Sequence, residues 1–190
     1  MIVLAGNTAL EKAGGKPLTF CGGRTDAIDG KGSEFLFPKI TGDFSESLVC
    51  LKDFISIMGL TQREFAALNG VGYAVGDSSD CEGLYCRRNS FQGTKYVSSS
   101  LSNIFFLNLL SENWEEYTIP HTGKKVYKAA GKDLLMLRTD LMFRFDPELR
   151  AIVQDFASDN ELFLSEVATT WTKLSNADRF DGPTGNVCYT

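Results

Sequence analysis

Histidine is almost missing from this sequence: His121 is the only one in 190 residues. That excludes sites built from paired imidazoles. Zinc is not expected either, because His121 stands far from Cys81 and Cys86 and there is no second cysteine pair. Basic residues are the minority, 19 Lys and Arg against 24 Asp and Glu, a net charge of −5. Nothing in that balance recruits nucleic acid or an anionic membrane. No apolar run approaches the ~18 residues of a membrane-crossing helix, so no transmembrane segment is expected. Five cysteines (Cys21, Cys50, Cys81, Cys86 and Cys188) are too few and too scattered for a disulfide scaffold. Cys81 and Cys86 share a loop-like stretch and could bridge in an oxidising compartment, but free thiols are the plainer expectation. A redox role for that pair has no activated thiolate setting behind it. The beginning lacks a basic segment before an apolar run, so no targeting signal is expected there. Met1 to Gly6 reads as the interior of a helix without a cap, which predicts a truncated start. The compartment is not read from this end; an intracellular or organellar setting is the expectation.

What the sequence has is helical periodicity. At 43%, its hydrophobic content is ordinary for one globular domain with a real core. Met1 to Ala13 reads as a helix stopped at Gly14-Gly15. Lys16 to Ile40, broken by prolines and glycines, reads as loop. Phe44 to Met58 is amphipathic, with Leu48, Leu51, Phe54, Ile55 and Met58 inward and Gly59 as the stop. Thr61-x-x-Glu64 has the form of a reciprocal cap. Ser99 to Leu110 predicts a strongly buried helix, and Glu112 to Lys132 a β-hairpin turning at Pro120 to Gly123. From Met136 to Phe180 three helix starts follow one another, at Thr139-Asp140, Asp146-Pro147-Glu148 and Ser158-Asp159. Behind them Leu149, Ile152, Val153 and Phe156, then Phe163, Val167, Trp171 and Leu174, keep helical spacing. The expected architecture is mostly α with a small β-hairpin, one domain over 1–181 and a loose tail over 182–190. Gly70 to Gly76 superficially matches a dinucleotide loop, but no strand precedes it and no acidic ribose partner follows. Close helix packing is the expected reason for its glycines.

Several stretches together carry a resemblance. They are Leu-Ala-Gly…Ala-Leu-Glu-Lys-Ala-Gly-Gly near the start, Phe20 to Asp26, Leu101 to Leu110 (LSNIFFLNLL), and the ending from Leu137 to Asp181 with DPELR and NADRFD. The chain resembles the class I haem peroxidases, and within them the C-terminal domain of catalase-peroxidases, a domain that in that family holds no haem and supports its catalytic neighbour. The resemblance covers nearly all of this chain but about the last two thirds of one such domain. It implies a haem-peroxidase-like helical fold, incomplete because the N-terminal helices are missing.

In that family a distal Arg and His handle the peroxide, on a helix that would precede Met1. An axial His binds the iron from the proximal side within a motif like A-L-x-G-G-H-T-x-G. Here the matching stretch is Ala67 to Gly76, and Tyr73, give or take one residue, stands where the His belongs. Asp140 matches the proximal Asp, whose carboxylate orients the axial imidazole. No Trp lies between Tyr73 and Asn113, so the proximal Trp is absent too. Tyrosine does ligate iron in catalases, but Tyr73 has no cation adjacent in sequence to lower its pKa. The resemblance therefore implies a pseudo-peroxidase: no catalytic residue, no bound cofactor, Tyr73 and Asp140 as degenerate positions. Its role would be that of an accessory domain bracing a larger assembly, with a protein partner or the missing helices covering Met1 to Leu10. The alternative is a fragment of a haem peroxidase reducing hydrogen peroxide.

Overall fold

Glycine stops and side-chain caps set the frame. In the computed structural model, which describes residues 2–22, 28–29, 31, 44–74, 100–120, 123, 125–132, 134–176 and 188–189 (backbone alone at 44, 72–74 and 188–189), the first helix, α1, spans Ile2–Lys12. It ends where Gly14 takes a left-handed φ of 96° and Gly15 N–H donates back to the Leu10 carbonyl. The second, α2, spans Phe44–Ile57 and stops at Gly59, φ 68°. The third, α3, spans Gln62–Ala74 and opens on the expected reciprocal cap. Thr61 N–H donates to Glu64 Oε2 at 2.7 Å, and Glu64 N–H to Thr61 Oγ1 at 3.2 Å.

The later helices start close to where their sequences require, with α4 and α5 shifted. Helix α4 spans Ile104–Ser111 and begins several residues after the expected Ser99. Asn103 explains this. Its side-chain amide donates to the carbonyls of Phe156 and Ala157, and its backbone N–H donates to Asn160 Oδ1, so the preceding chain is tied to a neighbouring corner. Helix α5 spans Arg138–Phe145, α6 spans Pro147–Ser158, and α7 spans Asn160–Ser175. Asp146 and Asp159 cap α6 and α7 by accepting the Leu149 and Leu162 N–H groups, each at 3.0 Å.

The hairpin is present as β2 (Trp114–Thr118) paired antiparallel with β3 (Lys125–Ala129). A two-residue strand, β4 (Leu135–Met136), extends it on the β3 side. A separate two-residue pair joins Phe20–Cys21, here β1, to Cys188–Tyr189, here β5. Neither β4 nor the β1–β5 pair was expected. Two residues carry no periodicity to detect, and β5 lies in what read as a loose tail.

The core centres on Phe106. Its ring lies 5.0 Å from Phe105, 5.2 Å from Phe156 and 5.2 Å from Phe163, centroid to centroid, and all four rings are fully buried. Gly70 on α3 lets that cluster close: a Cβ there would stand 2.8 Å from the Phe106 ring and 3.0 Å from Phe163. Helix packing, not phosphate binding, is thus the reason for this glycine. Helix α1 docks through Asn7 and Gly6. Trp171 Nε1 donates to Asn7 Oδ1 at 2.7 Å, and a Cβ on Gly6 would stand 2.5 Å from the Trp171 ring. Leu10 is buried, while Ile2 and Leu4 of the same helix are exposed.

Ion pairs tie the helices from outside. Lys52 of α2 reaches Asp146 at 3.1 Å and Glu148 at 3.0 Å, and Lys173 of α7 reaches Glu64 at 2.8 Å. Burial pushes the Asp146 and Glu64 carboxyls up. The Leu149 N–H and Lys52 outweigh it at Asp146, Lys173 and the Thr61 groups outweigh it at Glu64, and both end below the usual carboxylate range. A carboxyl depressed in the fold contributes stability above its unfolded pKa and loses it as pH falls through the folded value. Thermal denaturation followed by circular dichroism should therefore show Tm constant near neutrality and falling as pH drops below about 4. Asp146→Asn should lower the neutral Tm and flatten part of that fall.

Candidate functional site

The position to test is Asp140. The α5 helix that carries it leaves β4 at Leu137, and Asp140 sits in its first turn, where the helix dipole favours a carboxylate. It is fully buried. Oδ2 accepts the Leu137 N–H at 2.8 Å, so the carboxylate turns back on the start of its own helix. Oδ1 faces Asn69 Nδ2 of α3 at 3.5 Å, the long end of a hydrogen bond. The following residues, Leu141, Met142 and Phe143, are all core. The sequence placed Thr139-Asp140 ahead of the helix as its cap. The structure puts both inside it, with Leu137 at the boundary, because Asp140 caps by reaching backward three residues. Thr139 Oγ1 is buried without a hydrogen-bond partner.

Asn69 is the residue that sequence reasoning missed as part of this site. Its signal was spacing. It stands one helical turn before Tyr73, and residues four apart share a face. The backbone of α3 runs through Gly72 and Tyr73 to Ala74, so position 73 continues the helix. His121, Cys81 and Cys86 lie outside the described residues. Cys50 is free and exposed, whereas Cys21, which no spacing in the sequence marked, is disulfide-bonded. Among the described residues no group of three or more His, Cys, Asp or Glu is placed to hold a metal ion, and no helix is long and apolar enough to cross a membrane.

Seven described helices and a small antiparallel sheet agree with the family comparisons. The family model described as "Peroxidase" matches residues 1–159, and the chain belongs to the peroxidase family. It is 34% identical to a catalase-peroxidase of Mycosarcoma maydis over 98% of this chain and 27% of that protein. It is 33% identical to a catalase-peroxidase of Psychromonas ingrahamii over 95% of this chain and 27% of that protein. A Gibberella zeae protein named "Putative heme-binding peroxidase" is 30% identical over 90% of this chain and 50% of its own length. The chain thus spans about a quarter of the catalase-peroxidases it matches and half of the Gibberella protein.

These matches correct one expectation. A chain with no cofactor does not agree with a peroxidase family membership and a relative named for heme binding; the group they point to is haem. The residues around Asp140, however, do not fit the carboxylate–imidazole–iron arrangement. The chain's one histidine, His121, falls in sequence between β2 and β3 and not in α3, so no imidazole stands at position 73 for the Asp140 carboxylate to orient. No step of a peroxide reaction follows from the described side chains.

Proposed function

We propose that this chain is an accessory, non-catalytic peroxidase-fold domain that braces the rest of a larger peroxidase of the catalase-peroxidase kind. The carrying observation is the carboxylate of Asp140. In a working proximal site it would hold an imidazole N–H. Here no histidine stands at position 73 to be held, while Oδ2 closes the first turn of α5 on Leu137 N–H, a structural task that suffices for a buried carboxylate. The partner would lie against the exposed Ile2 and Leu4 of α1, while Leu10 and Asn7 fasten that helix to the core. An apolar face of this kind gains from being covered, and binding there would stabilise the domain by mass action.

The test is to titrate the purified chain with haemin, add hydrogen peroxide and a small phenolic reductant, and follow oxidation of the reductant. The proposal expects no turnover above that of free haemin. Asp140→Asn keeps a carbonyl oxygen for Leu137 N–H, so it should cost at most ~1 kcal/mol and change no peroxidase readout. Urea denaturation of the variant measures the first value. Peroxide-dependent turnover that collapses in Asp140→Asn would favour the second reading, a haem peroxidase acting on hydrogen peroxide. The named Gibberella relative and the burial of Asp140 are what keep that reading in view.

A further inference from the structure

The two-residue pair at the ends of the chain is where the structure departs furthest from its sequence. Strand β1 pairs antiparallel with β5 in a register that sets Phe20 opposite Tyr189 and Cys21 opposite Cys188. Cys21 is disulfide-bonded. Facing residues of an antiparallel pair have Cα atoms roughly 4.5–5.5 Å apart and side chains on the same side of the ribbon. A disulfide spans Cα separations of roughly 4.4–6.8 Å. The backbone register therefore supplies the geometry that a bond between these two positions requires.

We infer that Cys188 is the partner of Cys21, and that the bond is a redox-sensitive clasp holding the C-terminal tail against the segment that follows α1. Two residues of strand pairing are too short to persist unaided. The crosslink supplies what the hydrogen bonds lack, by closing a loop that encloses nearly the whole domain. On the inner side the clasp continues into the fold. The Thr19 carbonyl, next to β1, accepts from Asn7 Nδ2 at 3.4 Å, and Asn7 Oδ1 accepts from Trp171 of α7. Closing needs a two-electron oxidant, and a hydroperoxide suffices. One thiolate attacks the peroxide oxygen and becomes a sulfenic acid, releasing water or alcohol. The second thiol then displaces the sulfenic hydroxyl, which leaves as water. Opening is exchange with a dithiol reductant, which takes up both sulfurs' bond and is itself oxidised to a disulfide. Cys50, exposed and free, is an internal control.

Two measurements on the whole chain decide this. The unreduced protein is denatured, alkylated with iodoacetamide, digested and analysed by mass spectrometry. Label is expected on Cys50, and the Cys21 and Cys188 peptides should appear as one crosslinked species. Separately, Cys188→Ser should lower Tm by on the order of 10 °C. Dithiothreitol should lower the parent protein to the same value, and adding Cys21→Ser should change nothing more. Labelled Cys188 in the unreduced protein, Cys21 joined to a different cysteine, or a Tm indifferent to reduction would each overturn the clasp.

Discussion

Phe106→Ala should remove about 3–5 kcal/mol of stability, the cost of truncating a fully buried aromatic. For a chain of this size that is a fall in Tm of roughly 6–20 °C. The upper half of the range is expected because three rings touch this one. Phe105, Phe156 and Phe163 come from α4, α6 and α7, so no single neighbour can move to fill the space without leaving another gap. Edge-to-face contacts with Phe105 and Phe163 are lost along with the area. Urea denaturation of the variant beside the parent measures this. A loss under 1 kcal/mol would mean that Phe106 is not the centre of the core.

Gly70→Leu should be about as damaging, for the opposite reason. Its Cβ alone would stand 2.8 Å from two Phe106 ring atoms, and the branched end has nowhere to go. Overpacking typically costs ~1–3 kcal/mol, and here the obstructing rings are themselves fixed by their neighbours, so the upper end or beyond is expected. Gly70→Ala gives a sharper version. Alanine has the better helix propensity, by about 1 kcal/mol, so only the ring contact can make the change unfavourable. With Phe106 already alanine, the tightest contacts are gone and the Phe163 ring, 3.0 Å from the new Cβ, gains space to yield, so Gly70→Ala should become neutral or stabilising. The two substitutions should therefore be strongly non-additive, which a double-mutant cycle reads directly. Additive losses would place the obstruction elsewhere.

Much of this was open to reading because caps and periodicity are local. Thr61 and Glu64, Asp146 and Pro147, and Asp159 act within one helical turn of themselves, so their roles could be read from neighbours in sequence. The inward faces of α2, α6 and α7 repeat at a period that only a helix satisfies. What escaped notice depends on contacts far apart in the chain. Asn103 delays α4 because it bonds to residues more than fifty positions away. Cys21 meets a strand from the other end of the chain, and Asn69 belongs beside Asp140 only once α3 and α5 are packed. The family resemblance, resting on combinations of residues, located Tyr73 and Asp140 as the positions to question. It also led to the expectation of no cofactor, which the peroxidase relatives overturn.

The decisive measurement concerns the iron's proximal bond. Resonance Raman spectra of the ferrous, haemin-loaded chain, parent and Asp140→Asn, would show whether an iron–imidazole stretch exists and whether it responds to that carboxylate. The chain's one histidine, His121, stands far from Tyr73 in sequence, so no iron–imidazole band should respond to the substitution. An iron–imidazole stretch that shifts when Asp140 becomes asparagine would contradict the accessory role and restore a working proximal site.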